Sequence, residues 1–367
     1  MKIGILTLAL YGNYGGGLLQ AYALQRTLQK LGHDPVTVDY LKRYRPLQYI
    51  RMLMAFLIKK YLFRRKGVRW RGRSPTTAVF IRNRMKMTKP IYAPATLMSF
   101  RRYGFEAFVV GSDQCWRNEY VPFLPTYFLD FLCDDKSPLR VAYAASFGKD
   151  EWNVSPALEY QCAQLAKKFN MISVREDSAI DLCQQKLGVF AEQVLDPTFL
   201  LSKEEYEELI DFSLGEGECP VGAYILDVTS QKDAVISSYA KIRECRPLIM
   251  APERERYEAD VPSVSRFVSL FKKSQCIITD SFHGMVFSLI FEKPFLVIAN
   301  KQRGLARFES LLGSLGLKDR LVAEDELCDA RVQEVLGRDV DWDIVKETLS
   351  KKRDASIEFL KKSLNGK

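Results

Sequence analysis

Short apolar runs alternate with amphipathic segments along most of the chain. Residues 2–8 form the first apolar run, residues 18–31 place apolar side chains at helical spacing, and residues 35–40 form a second run. Apolar runs of this length are typical of strands buried in a parallel sheet, and Gly32 after the periodic segment is a typical helix stop. The N-terminal pattern therefore predicts a strand, a loop, a helix and a strand, which together make a βαβ unit.

The same alternation resumes after residue 105. Eight further apolar runs predict strands, four on each side of residue 200: 107–111, 140–146, 170–174, 193–195, 221–228, 247–250, 276–279 and 294–298. Helical segments fall between them, including 282–291 and 303–315, and residues 342–364 predict a final charged amphipathic helix. A boundary is expected near Asp196-Pro197-Thr198, because Ser202 and Glu205 then have the spacing of a capping box that opens a new helix.

This order of elements predicts an α/β protein of two Rossmann-type units, each built on a mostly parallel sheet, that face a cleft. We place the first unit at residues 1–200, the second at residues 201–335 and a C-terminal helix at residues 336–367. Ligands of such sheets bind outside the carboxyl ends of the strands. Polar residues that directly follow a predicted strand are therefore the first candidates for a functional site.

Charge is distributed very unevenly along the 367 residues. The net charge is +9, but residues 41–105 hold 18 of the 54 Lys and Arg and none of the 45 Asp and Glu, so the rest of the chain carries −9.

Eight scattered Cys with only two His argue against a structural zinc site. With no secretory signal and no run near the ~20 apolar residues of a membrane span, these features predict a cytoplasmic protein with reduced thiols.

The basic insert at 41–105 interrupts the alternation of strands and helices. Within it, residues 52–63 predict a short helix with an apolar surface flanked by cations, which favours association of 42–89 with the headgroups of an anionic membrane surface. A solvated loop without a partner fits the same composition. Nucleic acid fits it less well, because the chain has no nucleic-acid motif and the insert has few stacking aromatics.

The segment Thr279-Asp280-Ser281-Phe282-His283-Gly284 has the most specific chemistry. A buried strand ends there and a helix begins at once, with Ser281 as a good N-cap and Gly284 open to close approach by a ligand. Free amides and the helix dipole at such a start favour a phosphate or a carboxylate. His283 suits proton transfer near neutral pH, so we interpret it as a catalytic candidate rather than as a buried histidine bonded to backbone.

Two further loops follow predicted strands. Gly12-Asn13-Tyr14-Gly15-Gly16-Gly17 precedes a helix but matches neither the dinucleotide fingerprint nor a P-loop, so it fits a tight turn as well as a binding loop. Ser112, Asp113 and Gln114 follow the run 107–111. Asp113 fits a base or a ligand of a sugar hydroxyl, and a simple cap of the following segment fits Ser112 or Asp113 equally well.

Three arginines near predicted strand ends are candidates for anion binding. Arg175 directly follows the run 170–174, where a guanidinium either binds a phosphate or carboxylate bidentately or pairs with Glu176 at the surface. Arg303 and Arg307 follow the run 294–298 and share a helix face if the helix spans both, although a solvated face fits either one.

Together these segments resemble the polysaccharide pyruvyl transferase family. The similarity covers roughly residues 2–318 and runs in order through NYGGGLLQAYALQ, FVVGSDQCW, ISVRED, LDPTFLL, TDSFHGMVFSLIFEKPF and RGLARFESLLGSLGL. The TDSFHG block is the most specific part and the glycine loop the least. The more usual form reads GSDQ-x-W followed by Asn, where this chain has Cys115 at x and Arg117 after the Trp, and the basic insert lies outside the family pattern.

The resemblance implies a GT-B-like fold and a transferase that moves pyruvate from phosphoenolpyruvate to a saccharide as a cyclic ketal, with release of phosphate. The acceptor would be a lipid-linked or nucleotide-linked precursor of a surface polysaccharide such as a capsule or exopolysaccharide. Phosphoenolpyruvate is then a co-substrate, and neither a cofactor nor a metal is implied. We assign roles accordingly: catalysis to His283, with Asp113 or Asp280 accepting a proton; donor binding to Arg175, Ser281, Gly284, Arg303 and Arg307; acceptor binding to Asn13, Gly15, Gly16, Ser112 and Gln114.

Other functions fit the same sequence. A GT-B glycosyltransferase that uses a nucleotide sugar would have the same fold and the same phosphate-binding helix start, and an inactive member of the family is a further alternative. Because Arg175 and His283 belong to different predicted units, catalysis is expected to require closure of the cleft.

Overall fold

The computed structural model describes residues 1–10, 15–41, 46–58, 74–93, 95–211, 219–252, 263–300 and 303–365. Helices and strands are numbered in chain order within these ranges. They form two parallel sheets with helices around them, and a small two-stranded sheet beside the first.

The first sheet contains six strands: β1 (Lys2–Leu6), β2 (Asp34–Thr37), β5 (Ala107–Val110), β6 (Leu139–Ala145), β7 (Met171–Val174) and β8 (Glu192–Gln193). All of its neighbours are parallel, in the order β2-β1-β5-β6-β7-β8. The strand order reverses at β1, so the topological switch point lies outside the carboxyl ends of β1 and β5. Two further strands pair with each other: β3 (Tyr40–Leu41), at the start of the basic insert, and β4 (Ile91–Tyr92), within its C-terminal part.

The second sheet contains five strands: β9 (Cys219–Tyr224), β10 (Leu248–Met250), β11 (Ser274–Thr279), β12 (Phe295–Ile298) and β13 (Leu321–Val322). They are also parallel, in the order β10-β9-β11-β12-β13. The order reverses between β9 and β11, which makes the carboxyl end of β11 part of a second switch point.

Helices cover both sheets, and most begin at a polar cap. They are α1 (Gly16–Lys30), α2 (Pro46–Leu57), α3 (Pro75–Arg84), α4 (Leu97–Arg101), α5 (Pro156–Ala166), α6 (Ser178–Leu182), α7 (Lys203–Glu207), α8 (Ser230–Ile242), α9 (Val264–Lys273), α10 (Phe282–Ile290), α11 (Ala306–Ser314), α12 (Asp329–Gly337) and α13 (Trp342–Leu364). The predicted capping box opens α7, where the Ser202 side chain accepts from Glu205 N and the Glu205 side chain accepts from Ser202 N.

Two buried contacts join the halves of the molecule. One core cluster places Leu18 of α1 with Phe282 and Met285 of α10. The last helix, α13, returns to the first sheet, where Phe359 and Leu360 are buried in a cluster with residues of β1, β5 and β6. The second half of the chain is thus packed against the first at both ends.

The predicted α/β architecture of two mostly parallel sheets is confirmed. The predicted helix over 303–315 begins only at Ala306, because Gly304 adopts a left-handed conformation with φ 86°. Arg303 and Arg307 therefore do not share a helix face, which corrects that interpretation. Strands β3, β4 and β13 have two residues each, and two residues show no periodicity that a sequence pattern could reveal.

Part of the basic insert lies in the described ranges. The predicted helix over 52–63 corresponds to α2, which ends at Leu57, and the strongly basic residues 59–73 lie outside the described ranges. None of the helices described is both long enough and apolar enough to cross a bilayer. The domain limits at 1–200, 201–335 and 336–367 stay a prediction.

Candidate active site

Charged side chains from the ends of several strands meet in one cluster, which we call the charged cluster: Asp113, Arg175, Asp196, His283 and Arg307. Asp113, Arg175 and Asp196 follow β5, β7 and β8 of the first sheet. His283 lies in the first turn of α10, directly after β11, and Arg307 lies in the first turn of α11. The cluster therefore combines groups from the carboxyl edges of both sheets, as expected for ligand sites of parallel α/β folds.

Asp113 is fixed by an unusual backbone. Its φ is 73°, a left-handed conformation that is uncommon outside glycine, although aspartate tolerates it better than most residues. The preceding Gly111 has φ 123°, and a Cβ there would lie 2.1 Å from the Tyr143 carbonyl oxygen, so only glycine fits. Asp113 Oδ1 accepts hydrogen bonds from Gln114 N at 2.9 Å and from Arg175 Nη2 at 3.3 Å. The loop thus holds this carboxylate against Arg175.

Arg175 is buried between two carboxylates. Besides its contact with Asp113, its Nη1 donates to Asp196 Oδ2 at 2.5 Å. Asp196 is itself 1% exposed, and its Oδ1 accepts from Thr198 N at 3.0 Å and from Thr198 Oγ1 at 2.6 Å. The sequence suggested Glu176 as a surface partner of Arg175. Its carboxylate instead accepts a hydrogen bond from Phe147 N at 3.0 Å and so fixes the loop that contains Phe147. Arg175 is therefore positioned at the centre of the site and not at the surface.

His283 faces the same carboxylate from the second half of the molecule. Its Nε2 lies 3.7 Å from Asp196 Oδ2, and the residue is 8% exposed. Ser281 caps the helix as predicted, since its Oγ accepts from Gly284 N at 3.3 Å. Because Asp196 contacts both Arg175 and His283, the two halves are already closed on one another at this point. That catalysis requires a movement of the two halves stays a prediction.

The glycine loop packs directly against His283. A Cβ on Gly16 would lie 1.8 Å from Cγ and 2.1 Å from Cβ of His283, and a Cβ on Gly15 would lie 2.9 Å from the Tyr224 hydroxyl. These glycines allow the start of α1 to approach the second half closely. In the structure, the groups close to these two glycines are therefore protein side chains, whereas the sequence predicted that the acceptor would lie there. Asn13, the third residue predicted in this loop, lies outside the described residues.

Arg307 and Arg175 share one aromatic ring. The Cζ atom of Arg175 lies 4.7 Å and that of Arg307 5.1 Å from the centroid of the Phe282 ring. Arg307 Nη1 is 4.0 Å from Asp113 Oδ1, and its Nη2 donates to the Arg303 carbonyl at 3.2 Å. A ring face stabilises a guanidinium without occupying its N–H groups, so contact with Phe282 leaves the Nε–H groups of both arginines free for an anion.

The mutual charges shift the acid–base equilibria of the cluster. Burial raises the pKa of Asp113, but the positive charges of Arg175, His283 and Arg307 outweigh it and hold that pKa below its ordinary value. Burial likewise opposes ionisation of Asp196, but His283 and Arg175 lower its pKa well below its ordinary value. Burial together with the charge of Arg175 lowers the pKa of Arg307 to about 10. Both carboxylates are therefore ionised at neutral pH, and Arg307 is a cation with too little negative charge around it.

Three buried nitrogens of the cluster have no hydrogen-bond partner among the described residues: Arg175 Nε, Arg307 Nε and His283 Nε2. Buried polar groups are nearly always paired in native proteins, and leaving a charged one unpaired is costly. A small cavity of about 60 Å³ beside the two arginines is lined in part by Arg175, Asp196, Phe282 and Arg307. The arrangement can bind a compact anion with more than one acceptor group.

Two predicted site residues are engaged elsewhere. Both oxygens of Asp280 are occupied, since Oδ1 accepts from Leu226 N at 2.6 Å and Oδ2 accepts from Asp227 N at 3.0 Å and from Lys232 Nζ at 2.9 Å. Arg303 makes a fork with Asp227, with Nε and Nη2 each 2.6 Å from a carboxylate oxygen. In this arrangement Asp280 is a structural anchor and Arg303 is already satisfied.

The remaining predicted residues lie next to the charged cluster and support the loops that carry it. Ser112 is fully buried and donates to Asp196 Oδ2 at 3.4 Å, and Gln114 Oε1 accepts from Arg117 Nη1 at 2.9 Å. A Cβ on Gly284 would lie 2.1 Å from Thr279 Oγ1, so this glycine permits contact with its own strand rather than with a ligand. These side chains position the loops of the site.

Sequence reasoning missed Asp196 and Phe282 as parts of the site. A signal for Asp196 was present, because Asp-Pro-Thr directly after a strand is the pattern in which the carboxylate accepts from a backbone N–H two residues later. In the sequence this segment serves as a boundary between units and as part of the family resemblance, without a role in the site. Phe282 had no comparable signal, because a phenylalanine at a helix start is usually a core residue.

A family model described as polysaccharide pyruvyl transferase matches residues 13–302. Among solved structures, UDP-GlcNAc 2-epimerase from Neisseria meningitidis, bound to UDP-GlcNAc, is similar with a TM-score of 0.53 and 12% identity, covering 99% of this chain and 100% of that one. A glycosyltransferase from Rickettsia africae has a TM-score of 0.51 and 9% identity, covering 99% of this chain and 97% of that one. The likeness confirms the GT-B-like fold. No curated protein is similar enough in sequence to count as a relative.

Proposed function

The chain belongs to the polysaccharide pyruvyl transferase family, and from that premise we propose that it transfers pyruvate from phosphoenolpyruvate to two hydroxyls of a saccharide, with release of phosphate. The proposed acceptor is a lipid-linked or nucleotide-linked precursor of a surface polysaccharide. The proposed chemistry needs no cofactor beyond this co-substrate and no metal.

The unpaired cationic donors are the observation that supports this donor best. Arg175 and Arg307 place their guanidinium groups over the Phe282 ring, and the Nε atoms of both arginines and Nε2 of His283 have no hydrogen-bond partner among the described residues. Phosphoenolpyruvate has a phosphate and a carboxylate on one carbon, and guanidinium groups bind both kinds of oxyanion in a forked geometry. Phosphoenolpyruvate bound here would place negative charge next to Arg307, whose pKa burial and Arg175 lower.

The reaction then follows from the positions of the groups. His283 donates a proton to the methylene carbon of the donor, the double-bond electrons form the new C–H bond, and the adjacent carbon becomes oxocarbenium-like. A sugar hydroxyl attacks that carbon, and its proton restores the imidazolium. A second hydroxyl then displaces phosphate, whose C–O bonding electrons leave with it, and the second proton goes to phosphate or solvent. The arginines stabilise the departing dianion.

Asp113 has a different part in this proposal from the base expected from the sequence. Its pKa is held below the ordinary value, so its carboxylate is a weak proton acceptor. It contacts Arg175 at 3.3 Å and lies 4.0 Å from Arg307. We assign it to orienting the two guanidinium groups and to accepting a hydrogen bond from an acceptor hydroxyl.

The acceptor requires more room than the charged cluster itself provides. A cavity of about 470 Å³ between the halves is lined by residues that include Lys149, Asp177, Ala306 and Ser310. Asp177 is two residues beyond Arg175 and Ala306 directly precedes Arg307. Carboxylates and hydroxyls bind sugar hydroxyls, and lysine binds phosphate, so we propose that the acceptor enters through this cavity.

The test incubates the protein with phosphoenolpyruvate and lipid-linked or nucleotide-linked sugars. We expect phosphate release together with an acceptor whose mass has increased by pyruvic acid minus water. Inorganic phosphate should also raise the melting temperature, as any ligand of the native state does, and Arg307→Gln should lose this shift while Arg331→Gln, a control at a half-buried arginine of α12, keeps it. Nucleotide release from UDP-GlcNAc, with no phosphate released from phosphoenolpyruvate, would instead identify a glycosyltransferase and refute the proposal.

A further inference from the structure

Arg117 is a buried arginine that the reaction proposed above does not use. It directly follows Trp116 and is 7% exposed. Its Cζ lies 4.2 Å from the centroid of the Tyr120 ring, and its Nε lies 3.5 Å from Glu119 Oε2. A ring face and a carboxylate both stabilise a guanidinium, so the loop that carries Arg117 also holds its side chain in place.

One nitrogen of this guanidinium joins the two halves of the molecule. Arg117 Nη1 donates to Gln114 Oε1 at 2.9 Å, within the first half, and to the Arg303 carbonyl oxygen at 3.3 Å, in the second half. The Arg303 carbonyl also accepts from Arg307 Nη2 at 3.2 Å. A carbonyl oxygen has two lone pairs, so it can accept from both arginines at once. Arg117 and Arg307 therefore meet at a single backbone oxygen.

The turn that contains this oxygen is packed closely against loops of the first half. A Cβ on Gly304 would lie 1.8 Å from the Gly148 carbonyl oxygen, and a Cβ on Gly148 would lie 2.0 Å from Gln114 Oε1. Glu176 Oε1 accepts from Gly148 N at 3.0 Å and so fixes that loop. The position of the turn at 303–304, which leads into α11, is thus set by contacts with the first half.

We propose that Arg117 is a positioning residue for Arg307. By donating to the Arg303 carbonyl, it holds the turn that precedes α11, and with it the Arg307 guanidinium, whose Nη1 lies 4.0 Å from Asp113 Oδ1. Arg117 acts through Arg307 and is not itself a ligand of the anion. The inference rests on the proposed function in taking phosphoenolpyruvate as that anion, whereas the restraint on the turn is independent of the ligand.

Three variants isolate this role. Arg117→Met removes every donor and keeps an apolar stem beside the Tyr120 ring. Arg117→Lys is one atom shorter but keeps three N–H groups on one nitrogen, and one nitrogen makes both bonds of Arg117. The matched control is Arg140→Met, at a 3% exposed arginine near the amino end of β6, whose Nη2 donates to the carbonyls of Cys133 and Asp135 at 3.1 and 2.7 Å. It removes a buried arginine at the sheet edge opposite the charged cluster.

Calorimetric titration with phosphoenolpyruvate measures the effect on the anion site. We expect Arg117→Met to bind phosphoenolpyruvate about tenfold more weakly than the parent, which is the effect of one hydrogen bond made by a charged group. Arg117→Lys should recover most of that loss. Arg140→Met should be less stable in urea and yet bind as the parent does, because a loss of stability alone does not change the affinity of the folded protein.

Hydrogen exchange measures the restraint on the turn without any ligand. We expect amides of 303–314 to exchange about tenfold faster in Arg117→Met than in the parent, because a lost hydrogen bond favours local opening by the same factor. Peptides of α12 should show no such change, and in Arg140→Met the 303–314 peptides should not be singled out. If Arg117→Met does not fold, Arg117→Gln, whose side chain ends two atoms short of Nη1, replaces it in both measurements.

A double variant tests whether Arg117 acts through Arg307. Arg307→Lys keeps a cation in the site but has no Nη2 to share the Arg303 carbonyl. In that background, adding Arg117→Met should weaken phosphoenolpyruvate binding by less than about twofold, because two residues that act through one contact are not additive.

Three results would overturn the proposal: unchanged exchange of 303–314 in Arg117→Met, an unchanged phosphoenolpyruvate affinity in that variant, or a tenfold loss in both backgrounds. Absence of phosphoenolpyruvate binding by the parent would instead refute the proposed function. The exchange of 303–314 would then decide by itself whether Arg117 holds the turn.

Discussion

Replacing Gly16 with alanine should disable His283 without changing any ionisable group. Gly16 begins α1, and the Cβ of an alanine there would lie 2.1 Å from Cβ and 1.8 Å from Cγ of His283. A different rotamer does not relieve the first of these contacts, because Cβ moves only with the backbone of α10. The start of α1 or of α10 must therefore shift.

The size of the shift sets the expected effect. Carbon atoms in contact lie at about 3.5 Å or more, so the two helix starts must separate by roughly 1.4 Å. A misplacement of about 1 Å in a catalytic group costs on the order of a hundredfold in rate. Overpacking a core contact costs about 1–3 kcal/mol of unfolding free energy, and the better helix propensity of alanine offsets at most ~1 kcal/mol of it. We expect a folded protein with at least a hundredfold lower pyruvyl transfer.

Three measurements check this expectation. Phosphate release from phosphoenolpyruvate gives the rate, and urea denaturation gives the stability. Because the chain has only two histidines, a His33→Gln background leaves the His283 imidazole as a single resolved NMR signal, which should move in the Gly16→Ala protein. The control is Gly337→Ala, at a helical glycine whose added Cβ meets nothing within 4 Å, and it should leave the rate and the signal unchanged.

Full activity of Gly16→Ala, with an unshifted imidazole signal and unchanged or greater stability, would refute the reasoning. It would mean that the glycine is not required for the approach of α1 to His283. Loss of activity with an unshifted imidazole would contradict it as well, because the effect would then act through the glycine loop itself.

Three other substitutions test the roles of the charged cluster. His283→Ala should reduce pyruvyl transfer by at least ~100-fold, measured as phosphate release, and near-normal turnover would exclude it as the acid. Arg175→Ala should raise the phosphoenolpyruvate concentration needed for half-maximal rate far more than Arg303→Ala, since Asp227 already occupies Arg303; equal effects would contradict the donor assignment. Asp196→Asn should cost about 3–5 kcal/mol of unfolding free energy at pH 7, because it removes a buried partner of Arg175. Because the pKa of Asp196 in the folded protein is depressed, this contribution is fully present above about pH 4 and declines at lower pH. Urea denaturation should therefore show a smaller difference in unfolding free energy between the parent and Asp196→Asn in acid than at pH 7. A difference that does not change with pH would contradict this expectation.

The main features of the site could be predicted from the sequence because strand ends have recognisable patterns. Asp113, Arg175 and His283 each follow an apolar run, and in a parallel sheet such positions meet at one edge. The same rule also selected Asp280 and Arg303, which the structure pairs with Lys232 and Asp227. Position after a strand therefore identifies candidates, but the partners of a charged side chain are set by residues far away in the sequence.

Local sequence is enough to specify the α/β class, the strand–helix order, the cap at Ser281 and the uneven charge. These properties depend on local periodicity, on capping chemistry and on composition, all of which act over a few neighbouring residues. Only the tertiary structure brought Asp196 between Arg175 and His283 and placed Gly16 against the imidazole. Those contacts join segments far apart in the chain, and they exist because the carboxyl ends of strands from two sheets meet at one site, which no local pattern encodes.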